Sequence, residues 1–197
     1  MVSKALIKRL RRESLTLTLA MVIRFRLRSV SGIMATQPLL VLFLSTGNAS
    51  RSLVAEALLN ARQSGLYRAR SAGISPAATV DPETVALLQY NGLDVAKLHP
   101  KKVQDFYAAA SYVKVDVIIT LSEEARSLCP VDWPGDPVRV HWDVDNPLGA
   151  VRPDQREWKL RKLYTTLEAR IDMLMRYRPA GSPMETLLML KDIGMVV

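Results

Sequence analysis

Residues 39–44 read Leu-Leu-Val-Leu-Phe-Leu, an unbroken apolar run that ends directly on Ser45-Thr46-Gly47-Asn48-Ala49-Ser50-Arg51-Ser52. An apolar run of strand length without alternation is the pattern of a strand buried on both faces, as in parallel sheets. After the polar loop comes Leu53-Val54-Ala55-Glu56-Ala57-Leu58-Leu59, with helix formers at helical spacing, expected to close near Gly65. A buried strand feeding a helix through a short polar loop restricts the chain to α/β architectures. In open sheets of that kind, ligands bind beyond the carboxyl ends of the strands, where such loops lie.

The remaining sequence repeats the alternation. Residues 67–72 are predicted as a second strand that runs into Ser71-Ala72-Gly73. Asp81-Pro82-Glu83 supplies an N-cap, a proline at the first helical position and an early acid, so a helix is expected to reach Asn91-Gly92. Residues 102–110 read as a short helix, 115–120 as a strong strand, 138–142 as a weaker one, and 152–177 as a long amphipathic helix stopped by Pro179-Ala180-Gly181. The predicted fold is a three-layer α/β domain: a small parallel sheet flanked by helices, with right-handed crossovers and an anion loop after the first strand. Residues 179–197 form a C-terminal tail with apolar spacing over 184–190, compatible with fraying, packing or binding a partner.

The net charge of +8 suggests nucleic acid until it is located. Residues 1–33 carry Lys4, Lys8, Arg9, Arg11, Arg12, Arg24, Arg26 and Arg28 against Glu13 alone, which is +7 of the total. The domain proper, residues 38–178, is therefore nearly neutral, and no nucleic-acid partner is expected. Residues 1–37 form a basic extension with three open readings: a targeting or membrane-touching segment, a disordered arm, or sequence upstream of a natural start at Met34, the reading favoured here. Its uncharged stretch, 14–23, is too short to span a bilayer. The lone Cys129 cannot form an internal disulfide, which points to a reducing, cytoplasmic setting. One thiol with His99 and His141 does not make a metal site.

On residues alone, the loop offers unpaired backbone N–H groups and the positive end of a helix dipole to an oxyanion. Gly47 is expected to permit a tight backbone path, while Thr46, Asn48, Ser50 and Ser52 hold the loop's shape. Arg51 offers a planar fork matched to two anion oxygens. The alternative is a plain Ser-Thr-Gly-Asn turn with Arg51 as a solvated charge.

The stretch 42–52, followed by Ala55-Glu56-Ala57-Leu58, resembles the phosphate loop of low-molecular-weight protein tyrosine phosphatases, nearest their arsenate-reductase-like branch. Ser71-Ala72-Gly73, the strand at 116–120, Cys129-Pro130 and residues 141–147 fall where that branch places them, so the resemblance covers roughly residues 39–178. It implies no cofactor. It also implies phosphate, arsenate or a phosphorylated ligand, a phosphoprotein partner among them, held by Thr46, Gly47, Asn48, Ala49, Ser50, Arg51 and Ser52.

The same comparison shows what is missing. The family's loop opens on a low-pKa cysteine nucleophile, and here that position is Ser45. The family's general acid is an aspartate directly before a proline, and here the residue before Pro147 is Asn146. Asp145 could stand in as the acid, or be a solvated loop carboxylate. Arsenate reduction relays electrons through the loop cysteine and two more cysteines spaced seven apart. Cys129 matches the last of these and is the redox candidate, but Ser122 stands seven residues before it. Without a relay, Cys129 reads as a small apolar side chain. The expected function is oxyanion binding with impaired catalysis. The alternatives are an active phosphatase or arsenate reductase using Ser45 or another residue, and an interaction module with a relic site.

Overall fold

The computed structural model describes residues 37–109, 113–149, 152–177 and 182–196. The basic extension, Gln37 apart, lies outside the described residues. The chain alternates β1 (Leu39–Ser45), α1 (Arg51–Ala61), β2 (Tyr67–Gly73), α2 (Pro82–Tyr90), α3 (Val103–Ala108), β3 (Val117–Thr120), α4 (Glu123–Leu128) and β4 (Val138–His141). It ends on α5 (Pro153–Arg176) and α6 (Pro183–Gly194). All four strands are parallel, in the order β2-β1-β3-β4. The sheet is the small, helix-flanked parallel one that the apolar run at 39–44 predicts.

β1 is central, and its side chains divide between two cores as a strand's period of two requires. Val41 and Phe43 join a core with Leu58, Trp142, Leu167 and Ile171, on the side covered by α1, α5 and α6. Leu40, Leu42 and Leu44 join Val103, Ile118, Ala125 and Trp133 on the side covered by α3 and α4. Both faces are dry, so no polar alternation is possible along this strand.

Several boundaries differ from expectation for identifiable reasons. β3 starts at Val117 rather than 115, because the Asp116 carboxylate takes the Leu40 N–H at 2.9 Å in place of a backbone carbonyl. α1 stops at Ala61, ahead of Gln63 and Gly65, both at positive φ. α4 is a helix that the sequence pattern does not predict. It is only six residues long, begun by Ser122, whose hydroxyl accepts the Ala125 N–H at 3.2 Å, with Glu123 and Glu124 in its first turn.

The C-terminal tail packs. Ser182 and Glu185 form a reciprocal capping box that starts α6, and Leu190 and Ile193 enter the core beside Trp142. Leu190→Ala should therefore destabilise the protein by about 2–5 kcal/mol. The expected signature is a lower urea midpoint at unchanged slope; an unchanged midpoint would place α6 outside the cooperative unit.

Candidate anion-binding site

The loop between β1 and α1 is held from outside. The carbonyl oxygens of Ser45, Thr46, Gly47 and Ala49 accept the N–H groups of Ile74, Ser75, Ala77 and Asp81 at 3.2, 2.9, 2.8 and 3.1 Å. In a trans peptide the N–H points away from the carbonyl it is bonded to, and no described peptide is cis. Four carbonyls tied outward therefore turn the N–H groups of Thr46, Gly47, Asn48 and Ser50 to the loop's interior. No side chain caps α1, so the amides of its first turn add to the same concavity.

The turn chemistry sits one residue later than the sequence suggests. Positive φ falls on Asn48 (45°), not on Gly47, and a side chain at Gly47 would meet only Ser75 O at 4.0 Å. The glycine that the geometry demands is Gly73, at the end of the neighbouring strand. A Cβ there would come within 2.9 Å of Thr46 O and 3.0 Å of Asn48 Cβ.

Asn48 tolerates that conformation because its side chain is fully engaged. Its Nδ2 donates to Ser52 Oγ and Ser71 Oγ, both at 2.8 Å, and its Oδ1 accepts the Lys101 N–H at 2.7 Å. Ser71 in turn donates to Glu56 at 2.5 Å, and Lys101 Nζ reaches the same carboxylate oxygen at 3.1 Å. Glu56 is buried, and this lysine compensates its charge. Ser50 is braced separately, with Oγ 2.8 Å from Thr84 Oγ1. By sequence Glu56 is one helix former among its neighbours, with nothing local to connect it with Lys101. The available signal was a lone charge inside the apolar stretch 53–59.

Ser45 is buried at the end of β1, its Oγ 2.7 Å from Ser52 Oγ and accepting the Asn48 N–H at 3.2 Å. Among the described residues no base hydrogen-bonds to it: His141 Nδ1 is paired with Thr120 Oγ1 and His99 Nδ1 with Lys97 O. Arg51 begins α1 and directs Nη1 at Leu121 O (3.3 Å) and Val144 O (3.5 Å). Among the described residues Nε and Nη2 carry no hydrogen bond, so this parallel pair of donors could serve a bidentate anion. Burial lowers the Arg51 pKa, opposed by Asp143 and Glu124, and an arginine so placed stays charged.

The segment 142–147 meets the loop through its backbone, by the Val144 carbonyl. Asp145 and Asn146 are both exposed, and Asn146 Oδ1 accepts the Leu148 N–H at 3.1 Å, closing a local turn. Neither side chain hydrogen-bonds to the loop among the described residues.

A family model described as low molecular weight phosphotyrosine protein phosphatase matches residues 40–181. The chain belongs to that family. Curated arsenate reductases of Brevibacillus brevis and Halalkalibacterium halodurans are 34% and 31% identical to it, over 58% and 60% of this chain and 81% of each relative. The solved arsenate reductase of Archaeoglobus fulgidus is 33% identical, with a TM-score of 0.54 over 70% of this chain and 99% of that one.

Within this phosphatase fold, Ser122 and Cys129 mark the two ends of α4. Ser122 comes to the loop, its Oγ 3.2 Å from Thr46 Oγ1. Cys129 is half-buried, and burial pushes its thiol pKa up, against a weaker pull from Arg139. That is the setting of a quiet thiol rather than a reactive one. Among the described residues no cluster of His, Cys, Asp or Glu could hold a metal, and no helix is long and apolar enough to cross a membrane.

Proposed function

We propose that the loop binds phosphate, arsenate or a phosphorylated ligand, a phosphoprotein included, in the cytoplasm, and that the chain is catalytically impaired. The observation that carries this reading is the set of loop carbonyls bonded outward to residues 74–81, which turns the loop amides into one concavity, with Arg51 at the start of the helix that follows it. Thr46, Gly47, Asn48, Ala49, Ser50, Arg51 and Ser52 form the cradle. Ser45 stands at the family's cysteine position, Asn146 at its general acid, and Ser122 at a relay cysteine. An alcohol with no neighbouring base is a poor nucleophile, and losing a nucleophile lowers turnover on the order of 10⁴-fold or more. The intact shell around Ser45 supports binding as the retained property.

A second reading, an active arsenate reductase or phosphatase, draws support from the names of the relatives. Two assays separate them: arsenate reduction with a dithiol donor should stay at background, and so should phosphate-ester hydrolysis. p-Nitrophenyl phosphate should bind the full chain, seen by displacement of inorganic phosphate, and remain intact at buffer-background rates. Turnover at rates ordinary for enzymes, roughly 1 s⁻¹ or above, would establish the second reading.

A further inference from the structure

α6 begins at Pro183, past residue 181 where the family match ends, yet it grips the segment that faces the anion loop. Two contacts are made to consecutive residues of that segment. The Trp142 indole N–H donates to Leu190 O at 2.7 Å, with the ring buried against α6. A Cβ at Gly194 would come within 2.6 Å of Trp142 Cδ1, so only glycine allows the ring this close to the helix. The second contact runs through Arg170 on α5, which is 4% exposed. Its Nη1 donates to Asp143 O at 3.1 Å and its Nε to Val196 O at 3.0 Å, just beyond α6.

A buried guanidinium whose hydrogen bonds go to two main-chain carbonyls is an expensive way to fill a core position. Its geometry is a staple: one arm holds the end of α6, the other the backbone at Asp143. The next carbonyl, Val144 O, is one of the two to which Arg51 Nη1 is anchored, the other being Leu121 O. The path from the C-terminus to the anion fork is thus Val196 O, Arg170, Asp143 O, Val144 O and Arg51.

We infer that α6 is a latch: through Arg170 and Trp142 it fixes the 142–144 backbone, and so sets the orientation in which Arg51 presents its fork. Arg170 and Trp142 are positioning residues. The part that concerns anion affinity rests on the anion-binding reading of the loop; the part that concerns the segment does not. If the latch and the loop share one coupling free energy, it is reciprocal, so an anion at the loop must also hold α6 more tightly.

Hydrogen exchange on the full chain tests this, comparing wild type with Arg170→Met and the milder Trp142→Phe, which deletes the indole N–H but keeps a ring. Leu88→Ala, in α2 and part of the same core as Trp142 but outside the 141–148 segment, controls for general loss of stability. Without anion, Arg170→Met should speed exchange in residues 141–148 by tenfold or more relative to the Leu88→Ala control, with a smaller gain for Trp142→Phe. Exchange there no faster than in the control overturns the latch. With inorganic phosphate as probe, wild-type α6 amides should slow, and Arg170→Met should weaken phosphate binding by about fivefold or more. Normal binding by Arg170→Met overturns the coupling to Arg51. Absence of phosphate binding by wild type would instead sink the anion reading, leaving the exchange in 141–148 to decide the latch.

Discussion

Replacing Ser45 with cysteine is expected to raise p-nitrophenyl phosphate hydrolysis by several orders of magnitude over the native chain. The surroundings needed by a thiolate are in place. The Asn48 N–H already points at the Ser45 side chain from 3.2 Å and Ser52 Oγ lies 2.7 Å away, with the unpaired amides of the α1 first turn behind. Such donors favour the charged form of a thiol and lower its pKa, whereas an alcohol lies too far above neutrality to be ionised by them. The gain should be on the order of 10³–10⁴, the converse of the loss seen when a nucleophile is deleted. Adding Asn146→Asp should contribute roughly another 10-fold to 100-fold, toward the lower range of general-acid effects, since the side chain is exposed and must turn inward. Steady-state kinetics of the single and double variants measure both. A double variant that binds phosphate yet stays at background would show that the loop is not an otherwise competent site.

Arg51→Ala should carry the largest loss of binding. The guanidinium spends Nη1 on the carbonyls of Leu121 and Val144, and among the described residues Nε and Nη2 carry no hydrogen bond, which makes them the pair proposed to hold the anion. Two charge-assisted hydrogen bonds at about 1.5–3 kcal/mol each correspond to a Kd increase of ~100-fold or more. Arg51→Lys keeps the charge but not the fork or the carbonyl anchorage, so it should recover only a small part of that loss. Calorimetric titration with phosphate reads both variants. Equal affinity for Arg51→Lys and wild type would mean that charge alone, without bidentate geometry, holds the anion.

The fold was legible because its strongest signals are local. The run 39–44 has the pattern of a strand covered on both faces and is one, and Asp81-Pro82-Glu83 starts α2 where expected, with the Asp81 carboxylate accepting the Thr84 N–H at 2.8 Å. The loop's identity was equally local, since its donors are consecutive backbone amides. What sequence could not reveal depends on distant partners. Glu56 looks like any helix glutamate until Ser71 and Lys101 are brought to it across 15 and 45 residues. Arg170 belongs, by pattern, to an amphipathic helix, and only the carbonyls of Asp143 and Val196 explain its burial. Positive φ at Asn48 rather than Gly47 follows from side-chain hydrogen bonds that secure the loop, which residue preference alone does not anticipate. α4 escaped because six residues are too few for periodicity, although Ser122 with two following glutamates was a readable start.

The most direct test is the melting midpoint of the full chain as a function of inorganic phosphate and arsenate. A ligand that binds only the folded state stabilises it by RT ln(1 + [L]/Kd), about 2.7 kcal/mol at a hundredfold excess over Kd. The midpoint should rise steadily with either oxyanion, remain flat with chloride at matched ionic strength, and lose its response in Arg51→Ala. A midpoint unmoved by millimolar phosphate and arsenate would contradict the assignment of the 45–52 loop as an anion site.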